Sequence, residues 1–213
     1  MSDAEAGAAV LATARAMNAE GINRGSAGNV SVRRRDGFLI TPTGMAYAVC
    51  QADDVVFVGL DGRVEGHRRP SSEWRFHRDI YQARPEAGAV IHAHSPFATT
   101  LACQGCDIPP FHYMIARFGG RDVRCAGYAT FGSQELSDAV LVALADRRGC
   151  LMAHHGMVVF GDDLDKALAL AIELEALCEQ YWRVLQMGEP RLLPDDEMAR
   201  VLDAFEDYGR QPG

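Results

Sequence analysis

The stretch Val90-Ile91-His92-Ala93-His94-Ser95-Pro96 sets two histidines two positions apart at the end of a short apolar run. Successive side chains of a strand point to opposite faces, so an extended segment over 89–94 projects His92 and His94 from the same face. Two imidazoles on one face can share a metal ion; taken alone, the pair reads equally well as buried polar side chains tied to their neighbours. Pro96 suits the first position of a helix and predicts a short one over 95–101.

Upstream, Val10, Leu11, Ala14 and Met17 recur at helical period and predict a helix over 4–19, ended at Gly21. The small residues Asn23-Arg24-Gly25-Ser26-Ala27-Gly28-Asn29 lead into a strand at Val30-Ser31-Val32. Such a loop can bring backbone N–H groups and the Asn29 amide close to an anion. It is not G-x-G-x-x-G ahead of a helix and it has no P-loop lysine, so a nucleotide fold does not follow. Residues 37–40 and 55–58 read as strands, with the turn Thr41-Pro42-Thr43-Gly44 between them, and Asp61-Gly62 turns the second into Arg63-Val64. Links this short favour antiparallel hairpins over alternating βαβ units. Pro70-Ser71-Ser72-Glu73 stands ahead of Trp74, Phe76, Ile80 and Tyr81 at helical spacing. A serine is the expected N-cap there, and the helix N-terminus behind Ser71 and Ser72 can hold a phosphate.

Downstream, 109–120 reads as an exposed connection in which Tyr113 is a packing residue, and 123–125 as a short strand. A helix follows over 134–145, then a buried strand over 149–153 that enters His154-His155-Gly156, then a strand over 157–160. The longest helical pattern covers 164–185, and an amphipathic helix over 195–205 leaves Tyr208 in the tail.

With 213 residues and no shift in composition, one compact domain over 1–213 is expected. Hydrophobic residues make up 48% and no apolar run can span a bilayer, so no membrane partner is expected. A formal net charge of -8 argues against a nucleic-acid partner, which needs clustered Lys and Arg. The acidic N-terminal residues lack a signal-peptide pattern, which makes the cytoplasm the expected location. The six cysteines follow no framework spacing, and Cys103-Gln104-Gly105-Cys106 has no second pair to complete a zinc knuckle.

A catalytic zinc takes three protein ligands and keeps one position open, and His92, His94 and either His154 or His155 meet that count. H-E-x-x-H is absent, which excludes the common helical zinc-protease signature. Lys166 is the only lysine and lies in the long helix, away from these residues in sequence, so Schiff-base chemistry has no candidate.

Ser26-Ala27-Gly28-Asn29, Thr41-Pro42-Thr43-Gly44, Pro70-Ser71-Ser72-Glu73, His92-Ala93-His94 and His154-His155-Gly156 resemble, in this order, the motif set of the class II, zinc-dependent aldolase/epimerase family. Segments 70–77, 112–116 and 128–132 resemble its aldolase branch; the epimerase branch carries Asp where Glu73 stands. The resemblance implies an α/β fold, a three-layer α/β/α sandwich with a central, mainly antiparallel sheet, and a fourfold homotetramer. It implies one Zn2+ per subunit on His92, His94 and His155, with Glu73 the acid/base carboxylate that can also sit on the metal. Asn29, Thr43, Gly44, Ser71 and Ser72 resemble the phosphate pocket. Tyr113 matches a tyrosine that reaches a neighbouring subunit's site, and Tyr208 a mobile C-terminal tyrosine. The implied partner is a phosphorylated ketose, split reversibly to dihydroxyacetone phosphate and a short aldehyde. A sugar-phosphate 4-epimerase or decarboxylase on the same scaffold is the alternative, and a non-catalytic zinc or phosphosugar-binding protein is the alternative of another class.

Overall fold

In the computed structural model, which describes residues 2–206, eight strands form one sheet. They are β1 (Asn29–Arg34), β2 (Gly37–Ile40), β3 (Val56–Gly59), β4 (Val64–Glu65), β5 (Ala89–Ala93), β6 (Cys125–Ala126), β7 (Gly149–Met152) and β8 (Gly156–Gly161). Their order is β4-β3-β2-β1-β5-β8-β7-β6, and every pairing is antiparallel except β6 with β7. The helices are α1 (Asp3–Ala19), α2 (Trp74–Ala83), α3 (Pro96–Cys103), α4 (Gln134–Ala143), α5 (Leu164–Met187) and α6 (Asp195–Glu206).

Period-two alternation sorts the strand residues between two cores. Ile91 and Ala93 of β5 and Met157 and Val159 of β8 join α1, α3 and α5; Val90, Val158 and Phe160 join α2 and α4. Helices thus cover both faces of a largely antiparallel sheet, which is the expected three-layer arrangement. Covering both faces also explains why β5 reads as a continuous apolar run rather than an alternating one. His92 follows the parity of Val90 and faces the α2 side, fully buried. No helix among the described residues is long and apolar enough to cross a membrane.

Three local expectations need correction. Glu73, not a serine, stands at the N-cap of α2 and makes no side-chain cap; the Ser71 hydroxyl instead accepts the Glu73 N–H at 3.3 Å. Residues 109–120 are not simply an exposed link, because Tyr113–Phe118 forms a 3-10 helix that buries Ile115, Ala116 and Phe118 and ends at Gly119 with φ 87. The short strand is Cys125–Ala126, while Val123 makes an isolated bridge to Ile108.

Asp79 ties α2 to α4. Its carboxylate accepts from Ser137 Oγ at 2.6 Å, Gln134 Nε2 at 2.6 Å and Arg78 Nε at 2.6 Å. Burial pushes this carboxyl up, but the three donors outweigh it and hold it below its ordinary value. A depressed carboxylate contributes stability above its unfolded pKa and loses it as pH falls through the folded one. Asp79→Asn is therefore expected to lose about 1–3 kcal/mol in urea unfolding near pH 7. Its deficit relative to the wild type should shrink below pH ~4.

Candidate metal centre and active site

The sheet register gathers the site. Asn29, the first residue of β1, lies directly opposite His92 of β5, so the two side chains share a face. Gly28 permits this approach: a Cβ there would sit 2.4 Å from the His92 carbonyl. Asn23 Oδ1 accepts the Gly28 N–H at 2.9 Å, and the Tyr47 hydroxyl donates to the Gly28 carbonyl. β5 ends at Ala93, one residue short of the expected limit, yet His94 still comes back onto the face of His92.

The β7–β8 turn decides between the two adjacent histidines. His154 takes the left-handed region at φ 55, is exposed and lies against the Tyr128 ring at 5.9 Å. Its backbone N–H donates to Ala102 of α3 at 3.1 Å. That turn sends His155 inward. Gly156 is required next, because a Cβ would stand 2.4 Å from the Ala93 carbonyl.

Glu73, His92, His94 and His155 consequently present ligand atoms that all lie within 4.8 Å of one another. His92 Nε2 is 2.9 Å from His94 Nε2 and 3.2 Å from Glu73 Oε2, and His155 Nε2 is 3.1 Å from Glu73 Oε1. The three imidazoles meet edge to face, with centroids 4.8 to 4.9 Å apart. His92 Nδ1 points at the Met157 carbonyl at 2.8 Å. A carbonyl only accepts, so Nδ1 carries the proton and Nε2 turns a lone pair into the cluster, as in histidines that hold metals.

Charge in this cluster is strongly coupled. Burial pushes the Glu73 carboxyl up, but the facing His92 and His155 outweigh it and hold it well below the carboxylate range. Burial pushes His92 down, yet the Glu73 carboxylate raises it on balance. Burial and the two neighbouring imidazoles lower His94 to about 4. The cluster therefore calls for a cation beside Glu73. The residues fit a divalent metal ion: the set is three imidazoles and a carboxylate, and ligands of a tetrahedral zinc at ~2.1 Å lie about 3.4 Å apart. Among the described residues, buried Glu73 Oε1 has no hydrogen-bond partner outside the cluster, within which it faces only His155 Nε2 at 3.1 Å.

Beside the cluster, two turns run side by side. Pro42 bridges Pro70, Thr43 N–H donates to the Arg69 carbonyl at 3.1 Å, and Ser71 N–H donates to the Thr41 carbonyl at 3.0 Å. This brings Thr43 and Gly44, both exposed, alongside buried Ser71 and exposed Ser72. Gly44 takes φ 68, which favours glycine. Asn29 sits between these turns and the metal cluster, its Nδ2 donating to Glu73 Oε2 at 2.9 Å.

Not every expected residue joins the cluster. The Tyr113 ring, half exposed, lies against His112 and Phe205. Tyr208 lies outside the described residues. Sequence reasoning passed over His77, Ser31, Tyr81 and Glu175. His77 bridges Asn29 and Ser31, and burial drives it to about 3, so it is neutral. Glu175 of α5 accepts from Ser95 Oγ at 2.6 Å and from the Phe97 and Ala98 N–H groups at 2.8 and 2.9 Å, capping α3 directly after His94. The four-residue spacing of Glu73, His77 and Tyr81 was the available signal, since it sets them on one helix face. Cys103 and Cys106 are free and exposed.

Residues 8–182 match the family described as the class II aldolase and adducin N-terminal domain. A 5-methylthioribulose-1-phosphate/5-deoxyribulose-1-phosphate aldolase of Rhodospirillum rubrum is 53% identical over 200 residues, covering 94% of this chain and 90% of that protein. L-fuculose phosphate aldolase of Escherichia coli is 45% identical over 201 residues, covering 94% of each. A solved L-fuculose 1-phosphate aldolase superposes with a TM-score of 0.92 at 36% identity, covering 95% of this chain and 96% of that one. The chain belongs to the class II aldolase family, and it is an aldolase.

Gly156→Ala is expected to force Ala93 and the β7–β8 turn apart and to carry His155 away from His94. Elemental analysis of the purified variant should find its bound divalent metal reduced by roughly 10-fold or more, with the secondary structure retained by circular dichroism.

Proposed function

We propose that this chain is a zinc-dependent aldolase that reversibly cleaves a ketose 1-phosphate into dihydroxyacetone phosphate and a short aldehyde. The convergence of Glu73 with His92, His94 and His155, next to a turn pair suited to phosphate, carries this reading. L-fuculose 1-phosphate and the 5-deoxy- and 5-methylthio-pentulose 1-phosphates are the candidate substrates, because the relatives' names specify them. Exposed Tyr128, set against the His154 ring, and exposed Phe131, next to the Gly132 that packs on Ser72, offer apolar surface to the aldehyde end.

The chain's residues divide the work. His92, His94 and His155 hold the metal, with Glu73 able to join them. When bound, a divalent ion supplies Lewis acidity that offsets negative charge developing on the ketose oxygens as the carbon–carbon bond breaks. Asn29, Thr43, Gly44, Ser71 and Ser72 grip the phosphate through side-chain and backbone donors, so binding energy far from the reacting bond positions it. Glu73, buried and ionised, takes and returns the proton on the carbon of the dihydroxyacetone half. Lys166, the sole lysine, sits exposed on α5 and pairs with Asp162 at 2.8 Å, consistent with a route that needs no Schiff base.

Tyr113 exchanges a proton with the aldehyde oxygen of a neighbouring subunit's substrate in this reading, within a fourfold homotetramer. Its half-exposed ring, turned to Phe205 rather than to its own histidine cluster, supports action in trans. Tyr208 is assigned to the same end of the substrate by resemblance alone. The whole chain, 1–213, serves as one catalytic domain on the single sheet. Six free cysteines are compatible with a reducing compartment, and the reading places the enzyme in the cytoplasm.

The zinc-loaded protein should release dihydroxyacetone phosphate, read by a coupled reductase, from at least one of the three candidate ketose 1-phosphates; release from none of them sinks the reading. Glu73→Gln should keep its metal and lose roughly 10²- to 10⁴-fold in kcat. Mixed oligomers of Glu73→Gln and Tyr113→Phe should regain activity that neither variant shows alone, since some sites then combine an intact Glu73 with a partner's intact tyrosine.

A further inference from the structure

We propose that His77 is a positioning residue that orients Asn29, so that Asn29 holds Oε2 of Glu73 and leaves Oε1 for proton transfer. The inference rests on the aldolase role given to Glu73 above. Five buried side chains form one hydrogen-bonded row: Glu73 Oε2 takes Asn29 Nδ2 at 2.9 Å, and Asn29 Oδ1 faces His77 Nε2 at 2.5 Å. His77 Nδ1 then meets Ser31 Oγ at 2.7 Å, and Ser31 Oγ meets the Tyr81 hydroxyl at 2.8 Å. Ser31 and His77 have no exposed surface, and Asn29, Tyr81 and Glu73 keep 2%, 1% and 5%.

Valence fixes the direction of every bond in the row. The Glu73 carboxylate can only accept, so it takes Asn29 Nδ2 and turns Oδ1, itself only an acceptor, toward His77, whose Nε2 therefore carries the proton. His77 Nδ1 must then accept, which uses the single Ser31 hydroxyl proton, and Ser31 Oγ in turn accepts from Tyr81. A flipped Asn29 amide would set an oxygen against the carboxylate and an NH2 against the His77 N–H, a clash of like partners at both ends. The acceptor-only carboxylate thereby selects the amide orientation, and the His77 Nε2–H holds it from the other end.

Two consequences reach the chemistry. One carboxylate oxygen is pinned by Asn29, whereas Oε1 faces only the candidate metal ligand His155, at 3.1 Å, and is open to a proton or the metal. Asn29 Nδ2 has a second proton, which is available to the substrate phosphate, so one amide links the anion grip to the proton carrier. The row follows from two periods: Asn29 and Ser31 are two apart on β1, and Glu73 at the N-cap, His77 and Tyr81 are four apart from the start of α2 onward.

The test compares zinc-loaded wild type with His77→Phe and His77→Gln. Phenylalanine keeps the stacking against Phe76 but donates nothing, whereas the glutamine amide can donate to Asn29 and accept from Ser31. The expected result is a kcat roughly 10- to 100-fold lower for His77→Phe with KM changed less, metal content unchanged, and most of kcat restored in His77→Gln. Nitrogen-15 histidine NMR of the zinc-loaded wild type should show His77 neutral, protonated at Nε2 and protected from exchange. A His77 found protonated at Nδ1 or on both nitrogens overturns the inference, and this reading decides the matter if His77→Phe does not fold. Unchanged kcat in His77→Phe against an active wild type also overturns it while the aldolase reading stands. An inactive wild type with the Nε2–H tautomer would instead fail the aldolase reading.

Discussion

Burying the Glu73 carboxylate beside three imidazoles is the constraint on which the surrounding structure depends. An isolated buried carboxylate costs several kcal/mol unless charge and hydrogen bonds compensate it. Asn29 supplies a hydrogen bond to one oxygen, and the other faces His155 at 3.1 Å and is open to a cation. The facing imidazoles of His92 and His155 lower the Glu73 carboxyl, and Glu73 in turn raises His92, so each side of the cluster favours a positive charge beside the carboxylate. A divalent ion satisfies the same demand with more charge and with a donor set already aimed at one point. The cluster is thus costly as protein alone and favourable as a metal centre, which is the arrangement expected where function outweighs local stability.

Sequence periodicity reached the centre of this site and lost its edges. The two-residue spacing of His92 and His94 correctly put both on one face, because β5 is flanked by β1 and β8 and has little freedom to twist away. Antiparallel hairpins in the first third followed from short links, as observed. The choice of His155 over His154 was open on residues alone, since only the left-handed backbone at His154 decides which ring turns inward. The serine cap failed because Ser71 and Ser72 belong to a turn bonded to Thr41 and Thr43, a tertiary contact that propensity does not encode. Likewise 109–120, with its prolines and glycines, read as exposed; burial of Ile115 and Phe118 against the core overrides that composition.

The row behind Glu73 escaped for a different reason. Histidine, serine and tyrosine at 77, 31 and 81 each have an ordinary reading as packed polar residues, and their meaning appears only when β1 is laid against α2. A four-residue helical period and a two-residue strand period are each visible in the chain, but the pairing of the two faces is a fact of the fold.

Each of the three histidines is oriented by a different neighbour, and these supports are unequal. His92 is held by the Met157 carbonyl within the sheet itself. His94 leads into α3, whose first N–H groups are capped by Glu175 from α5. The turn carrying His155 is tied by the His154 N–H to Ala102, also in α3. α3 is therefore a common brace for two of the histidines, and α5 fixes α3 through the Glu175 carboxylate and through apolar packing that includes Phe97 against Trp182. A shift of α3 against the sheet would move His94 and the His155 turn together and leave His92 in place. The sheet side of the centre holds fully buried His92, and the side turned toward α3 holds His94 and His155, which keep partial exposure.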